Sequence, residues 1–150
     1  MRVLIQRVLS ASVSIDGRVH SSTGSGLLVL LGVAEDDTRA DADRLAAKTA
    51  ALRIFDDAAG IMNLDVRQAG GELLVVSQFT LLASTRRGNR PSYIRAARGD
   101  AAVSLYGYFI DRLSSLSGRP VASGVFGADM QVSLVNDGPV TIWLDSRYPE

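Results

Sequence analysis

The sequence predicts an α/β protein, a strand-rich curved sheet or open barrel covered by two main helices. Three observations predict it. The runs "LLVLLGV" (Leu27–Val33) and "GELLVVSQFTLL" (from Gly71) are apolar on both faces, as buried central strands are. Helical periodicity occurs in two stretches and strand patterns outnumber them, so the helices must cover a sheet. At 150 residues, 47% of them hydrophobic, the chain fits one domain spanning residues 1–150 with a sizeable core.

The elements follow in order. "VLIQRV" leads into "ASVSI", and Asp16-Gly17 before "RVHSS" is a two-residue hairpin signal. After "TGSG" comes the first buried strand, closed by "EDD". Thr38 with Asp41 three residues on resembles a capping box, and Ala42, Leu45, Ala46, Thr49 and Leu52 share one helical face. Arg53-Ile54-Phe55 suits either the last turn of that helix or the start of a strand, and "DDAAG" is a loop. The second buried strand ends in "ASTRRGNRPS", an exposed loop. A second helix runs from about Asp100 to Ser117, apolar along Ala102, Tyr106, Phe109, Ile110, Leu113 and Leu116, with Gly118 and Pro120 as stop signals. "PVASGVFGADMQVSLVNDGPVTIWLD" returns to strands.

Composition narrows the function classes. Sixteen basic and sixteen acidic residues balance, which argues against a protein that coats DNA but leaves room for a local basic patch. With no cysteine there is no disulfide framework and no thiolate nucleophile. "MRVLIQRVLSASV" lacks the continuous apolar region of a signal peptide, and no run approaches the ~18 apolar residues that span a membrane. A cytoplasmic protein without a membrane partner is expected.

The usual catalytic equipment is sparse. The single histidine, His20, falls in the second arm of the hairpin, where a surface strand position explains it better than a Ser–His–Asp triad. The carboxylates Glu35-Asp36-Asp37 and Asp56-Asp57 sit in turns without a histidine nearby, so no metal and no cofactor is expected. No phosphate-binding glycine motif is present.

Three stretches remain. In "VVSQFTLL" the polar Ser77, Gln78 and Thr80 interrupt a buried strand, so they bond to neighbouring backbone or face a cleft. "TRRGNRPSYIRAAR" holds Arg86, Arg87, Arg90, Arg95 and Arg98, either a solvated face or contacts to phosphate. In "NDGP", Pro139 cannot donate to a ladder and Gly138 adopts angles closed to other residues. A tight turn and a cis Gly–Pro bond, which costs only ~0.5–1 kcal/mol, are both open.

"SQFTL" (Ser77–Leu81) and "NDGPVT" (Asn136–Thr141) together resemble the two signature motifs of the D-aminoacyl-tRNA deacylases. "IQRV", "GLLVLLGV", "RGNRPSY" and "ADMQVSLVNDGPVT" follow that family's order over nearly the whole chain, with Tyr93 where a Phe is expected. The resemblance implies a layered α/β/β fold and a homodimer that hydrolyses the ester joining a D-amino acid, or misattached glycine, to the 3′ end of tRNA. It implies that Ser77, Gln78, Phe79 and Thr80 line the catalytic pocket. Gly138 and Pro139 would reach into the partner's site and exclude L-amino acids, Arg7 would brace them, and Met130 would line the same pocket. Backbone N–H groups at Phe79 and Thr80 would then stabilise the oxyanion. The attack falls either to Thr80 as nucleophile or to water assisted by the tRNA's own 2′-hydroxyl, the latter favoured because no base stands near Thr80. The rival readings are a non-catalytic tRNA-binding module and an esterase for small D-amino acid esters.

Overall fold

The computed structural model describes residues 1–149. β1 (Arg2–Ile15) turns through Asp16 and Gly17, both at positive φ, into β2 (Arg18–Thr23), and β3 (Gly26–Gly32) follows almost directly. Then come α1 (Arg39–Ala51), the short strands β4 (Phe55–Asp56) and β5 (Met62–Leu64), and β6 (Glu72–Ser77). A single 3-10 turn over Phe79–Leu82 precedes α2 (Gly99–Ser117), β7 (Ala122–Ser123) and β8 (Gln131–Asp145).

β1 organises the sheet. One edge pairs antiparallel first with β3 (Val3 opposite Leu31) and then with β2 (Ala11 opposite Thr23). β8 runs antiparallel along the other edge, from Arg2 opposite Asp145 to Ser14 opposite Gln131. β6 adds parallel to β3, and β7 parallel to β6. The sheet then curls until the Ser21 hydroxyl on β2 donates to the Ser123 carbonyl on β7 at 2.9 Å.

The alternation of side chains explains why β3 and β6 read as apolar throughout. Leu27, Val29, Leu31, Leu73 and Val75 face the helices, where Leu45 of α1 and Phe109 and Leu113 of α2 meet them. Leu28, Leu74 and Val76 face the hollow of the curl and pack with Val8 and Val13. Two apolar layers on one sheet give the helix-covered curved sheet that the patterning predicts.

Four local outcomes complete the sequence reading. α1 stops at Ala51, Leu52 is already extended, and Phe55–Asp56 is strand rather than helix, pairing with Met62–Leu64. The capping box at Thr38 forms, with the Thr38 N–H donating to Asp41 Oδ2 at 2.9 Å. Gly118 ends α2 in the left-handed region at φ 69° and donates to the Ser114 carbonyl at 3.0 Å. "NDGP" ends no strand, because β8 continues on both sides of it.

Candidate active site

β6 carries its buried run to Val76 and then stops. The Gln78 N–H donates to the Leu31 carbonyl at 2.8 Å, the last bond between this strand end and β3, and the chain then tightens into the 3-10 turn. The first N–H groups of a helical turn have no partner within it. Those of Phe79 and Thr80 meet no acceptor among the described residues. Beside them lies an apolar cavity of about 70 Å³, lined by Ser77, Gln78 and Phe79 together with Leu31, Ala102 and Phe126.

Each wall of the cavity has a reason. Gly32 lets the turn approach β3: a Cβ there would lie 2.6 Å from a Leu82 methyl, 3.0 Å from the Gln78 carbonyl and 3.1 Å from Leu81 Cβ. Phe126 leans on the Tyr106 ring at 5.7 Å, and the Tyr106 hydroxyl donates to the Val75 carbonyl at 3.0 Å. Burial pushes that phenol up to about 12, so Tyr106 stays a neutral donor at physiological pH. At the rim, the Tyr93 ring meets half-exposed Phe79 edge to face, centroids 5.0 Å apart. The Gln78 amide nitrogen hydrogen-bonds the Thr80 hydroxyl. An amide N–H donates and cannot accept a proton, so Thr80 is not paired with a base. His20 lies on β2, exposed, in the stretch that pairs with the far half of β1.

The second motif is an excursion from β8. The pairing with β1 jumps from Val8 opposite Asn136 to Gln6 opposite Thr141, leaving residues 137 to 140 outside the ladder facing Arg7. The Gly138–Pro139 bond is cis, Gly138 stands at φ 113°, and both residues are exposed. Asn136 closes the base of the excursion through its side-chain nitrogen, which donates to the Arg7 carbonyl at 2.9 Å and the Val140 carbonyl at 3.1 Å.

Arg7, 8% exposed, lies beneath. Its Nη1 donates to the Ile54 carbonyl at 2.7 Å and its Nε lies 3.0 Å from Asp137 Oδ2, an ion pair without the alignment of a hydrogen bond. Its Nη2 sits 3.1 Å from where a Gly138 Cβ would be. The arginine is therefore a buried support for the excursion.

The structure does not bring the two motifs together in one chain. Arg7, opposite Gly138, pairs with Leu27, whereas Ser77 pairs with Leu31. The two motifs are thus four residues apart along β3 and three strands apart across the sheet, a separation of roughly 20 Å at ~3.3 Å per residue and ~4.8 Å per strand. Met130 lies outside the cavity lining and packs in the hollow of the curl. Its sulfur fills the space a Cβ on Gly124 would need, and the Gly124 N–H donates to the Val75 carbonyl. Ala102, Phe126 and Gly32 were not legible as site residues: Ala102 reads as one more core position of α2, and Gly32 as the end of a strand. No group of three or more metal-ligating side chains forms among the described residues.

Comparison with known proteins bears on the class. The family model for D-Tyr-tRNA(Tyr) deacylase matches residues 4–145. A D-aminoacyl-tRNA deacylase of Porphyromonas gingivalis is 57% identical over 150 residues, and one of Opitutus terrae 59%, each covering 100% of both chains. A solved structure described as a c-Myc DNA unwinding element binding protein superposes with a TM-score of 0.91 at 38% identity, covering 97% of this chain and 98% of that one. A probable eukaryotic D-amino acid tRNA deacylase shares the fold at a TM-score of 0.81 and 16% identity, covering 95% and 97% of the two chains. The fold is thus that of a family of hydrolases. The chain belongs to the D-aminoacyl-tRNA deacylases.

Proposed function

We propose that the protein hydrolyses the ester joining a D-amino acid, or glycine, to the 3′ end of tRNA, releasing tRNA and the free amino acid. The observation that carries this reading is the end of β6, where two unbonded N–H groups stand beside a small cavity in a chain of this family. Such N–H groups match the oxyanion of ester hydrolysis, and removing one donor of this kind typically costs ~10²–10³ in rate. With Thr80 held by an amide and not by a base, attack by water assisted by the tRNA 2′-hydroxyl is preferred to Thr80 as nucleophile.

The complete site takes two copies of the chain, acting as a homodimer in the cytoplasm. The roughly 20 Å between the motifs within one chain supports this. So do Leu9 and Val135, large apolar residues 53% and 51% exposed on the strands beside the excursion. Gly138 and Pro139 of one copy then face the strand end of the other. Their backbone forms a wall that leaves room for hydrogen at the substrate Cα and clashes with an L side chain, whereas glycine passes. No DNA, metal or membrane enters this scheme.

Single-turnover hydrolysis of matched D-Tyr-tRNA, L-Tyr-tRNA and Gly-tRNA tests it. The expected result is fast loss of D-Tyr and Gly with L-Tyr intact. Stable D-Tyr-tRNA would leave only a tRNA-binding module, and equal loss of D and L would remove the chiral role of Gly138 and Pro139.

A further inference from the structure

Beyond the cavity the surface is continuous. Ala97, on its wall, also borders a groove of about 500 Å³ lined by Glu35, Ile94, Arg98 and Ala101. Ile94 and Glu35 in turn border a third depression of about 540 Å³, which Arg95 and Arg147 line. Each groove falls within the roughly 300–1,000 Å³ typical of ligand sites. The three form one path from the strand end across the segment before α2.

The chemistry along the path is uneven. Arg147 is neutralised by Asp36 and Asp37. Arg95 and Arg98 are exposed and have no carboxylate partner among the described residues. Ile94, which borders both grooves, is 76% exposed, an apolar surface on which a base can rest. Their backbone is fixed: the Glu35 N–H donates to the Arg95 carbonyl at 3.0 Å, and the Ala97 N–H to the Val33 carbonyl at 2.9 Å. Arg86, Arg87 and Arg90 differ. They occupy the loop closed by the Ser84–Ser92 backbone pair and border none of the three depressions.

We propose that this groove carries the single-stranded 3′ end of the tRNA, with the phosphates before the terminal nucleotide on Arg95 and Arg98 and a base over Ile94. The proposal rests on the functional reading above, since it assigns the course of the RNA leading to that site. Unpaired arginines on a fixed backbone suit phosphate contacts, and an apolar side chain shared by the two grooves suits a base face.

The test measures binding of uncharged tRNA against salt for the wild type, Arg95→Gln, Arg98→Gln and the double variant. Arg18→Gln, on exposed β2, controls for net charge. Deacylation of D-aminoacyl-tRNA and of a D-aminoacyl-adenosine, which lacks the upstream phosphates, is followed in parallel. Each groove substitution is expected to make the log–log salt slope shallower by about 0.7 and to raise KM for the tRNA substrate. The rate on the adenosine fragment should stay as in the wild type.

Groove variants that bind tRNA like Arg18→Gln would overturn the assignment, as would an equal loss on tRNA and fragment. A wild type that binds tRNA with the expected slopes but hydrolyses neither substrate would defeat the functional reading and leave the groove standing.

Discussion

Arg7 and Asp137, from opposite ends of the chain, meet beneath the excursion of β8, with Arg7 Nε 3.0 Å from Asp137 Oδ2. The same guanidinium holds the Ile54 carbonyl at 2.7 Å, so one side chain ties the excursion to the segment after α1. Arg7→Ala strips a buried carbonyl of its donor and leaves Asp137 unpaired. A loss of about 2–3 kcal/mol is expected, which thermal unfolding reads at roughly 2–4 °C per kcal/mol in a chain of this size. Deacylation should fall further than the loss of folded protein explains. Full activity in Arg7→Ala would remove its role in positioning Gly138 and Pro139.

Gly32 is where the 3-10 turn rests on β3. In Gly32→Ala the new methyl meets Leu81 Cβ and the Gln78 carbonyl at about 3 Å, so the turn must shift. The expected cost is about 1–3 kcal/mol, with kcat lowered because the N–H groups of Phe79 and Thr80 move with the turn. Unchanged kcat would mean that their position is not critical.

Thr80 and the RNA hydroxyl make opposite predictions. Thr80→Ala is expected to keep much of the wild-type rate, since only a side chain bonded to Gln78 is lost. A tRNA ending in 2′-deoxyadenosine is expected to be hydrolysed far more slowly. The reverse pattern in the same single-turnover assay would assign attack to Thr80.

Tyr93 holds Phe79 by its ring alone, through the edge-to-face contact at 5.0 Å. Tyr93→Phe should therefore behave as wild type. Tyr93→Ala should lose the ~0.5–1.5 kcal/mol of an aromatic pair and lower the deacylation rate as Phe79 becomes mobile. A defect in Tyr93→Phe would point to the hydroxyl instead.

Acid stability has a local source at Asp145. Burial alone would raise its pKa, but the Arg147 and Tyr148 N–H groups and the Arg2 guanidinium together hold it below its ordinary 3.8. A depressed carboxylate contributes stability that is full above the unfolded value and lost as pH falls through the folded one. Chemical denaturation should therefore show stability declining below about pH 4. Asp145→Asn should be less stable at pH 7 and show a shallower acid decline, whereas parallel curves for the two proteins would exclude Asp145 as a source.

Periodicity and turn chemistry made most of the architecture legible. Leu27–Val33 and Leu73–Val76 are largely buried on both faces, but the run from Gly71 leaves the sheet after Ser77 for a 3-10 turn instead of continuing as strand to Leu82. Asp16-Gly17 and Gly118 lie where backbone rules put them. The segment after Ala51 was undecided because Arg53-Ile54-Phe55 has no period of its own; its strand exists through pairing with Met62–Leu64. Ser77–Thr80 stood out because polar residues interrupt a buried strand. Ala102 and Phe126 did not, since a cavity wall made of core residues carries no local pattern. The separation of the two motifs along β3 and across three strands is a property of register, which no single stretch encodes.

The composite site is tested most directly by complementation. Gly138→Ala should abolish D-aminoacyl-tRNA hydrolysis by forcing a side chain to φ 113°, and Ala102→Leu by filling the cavity. If the proposed homodimer forms, co-expression gives mixed dimers in which one site keeps both an intact strand end and an intact excursion. Activity should return to roughly a quarter of wild type if pairing is random, from one good site in half of the dimers. A mixture no more active than either variant alone would mean that each chain builds its site by itself.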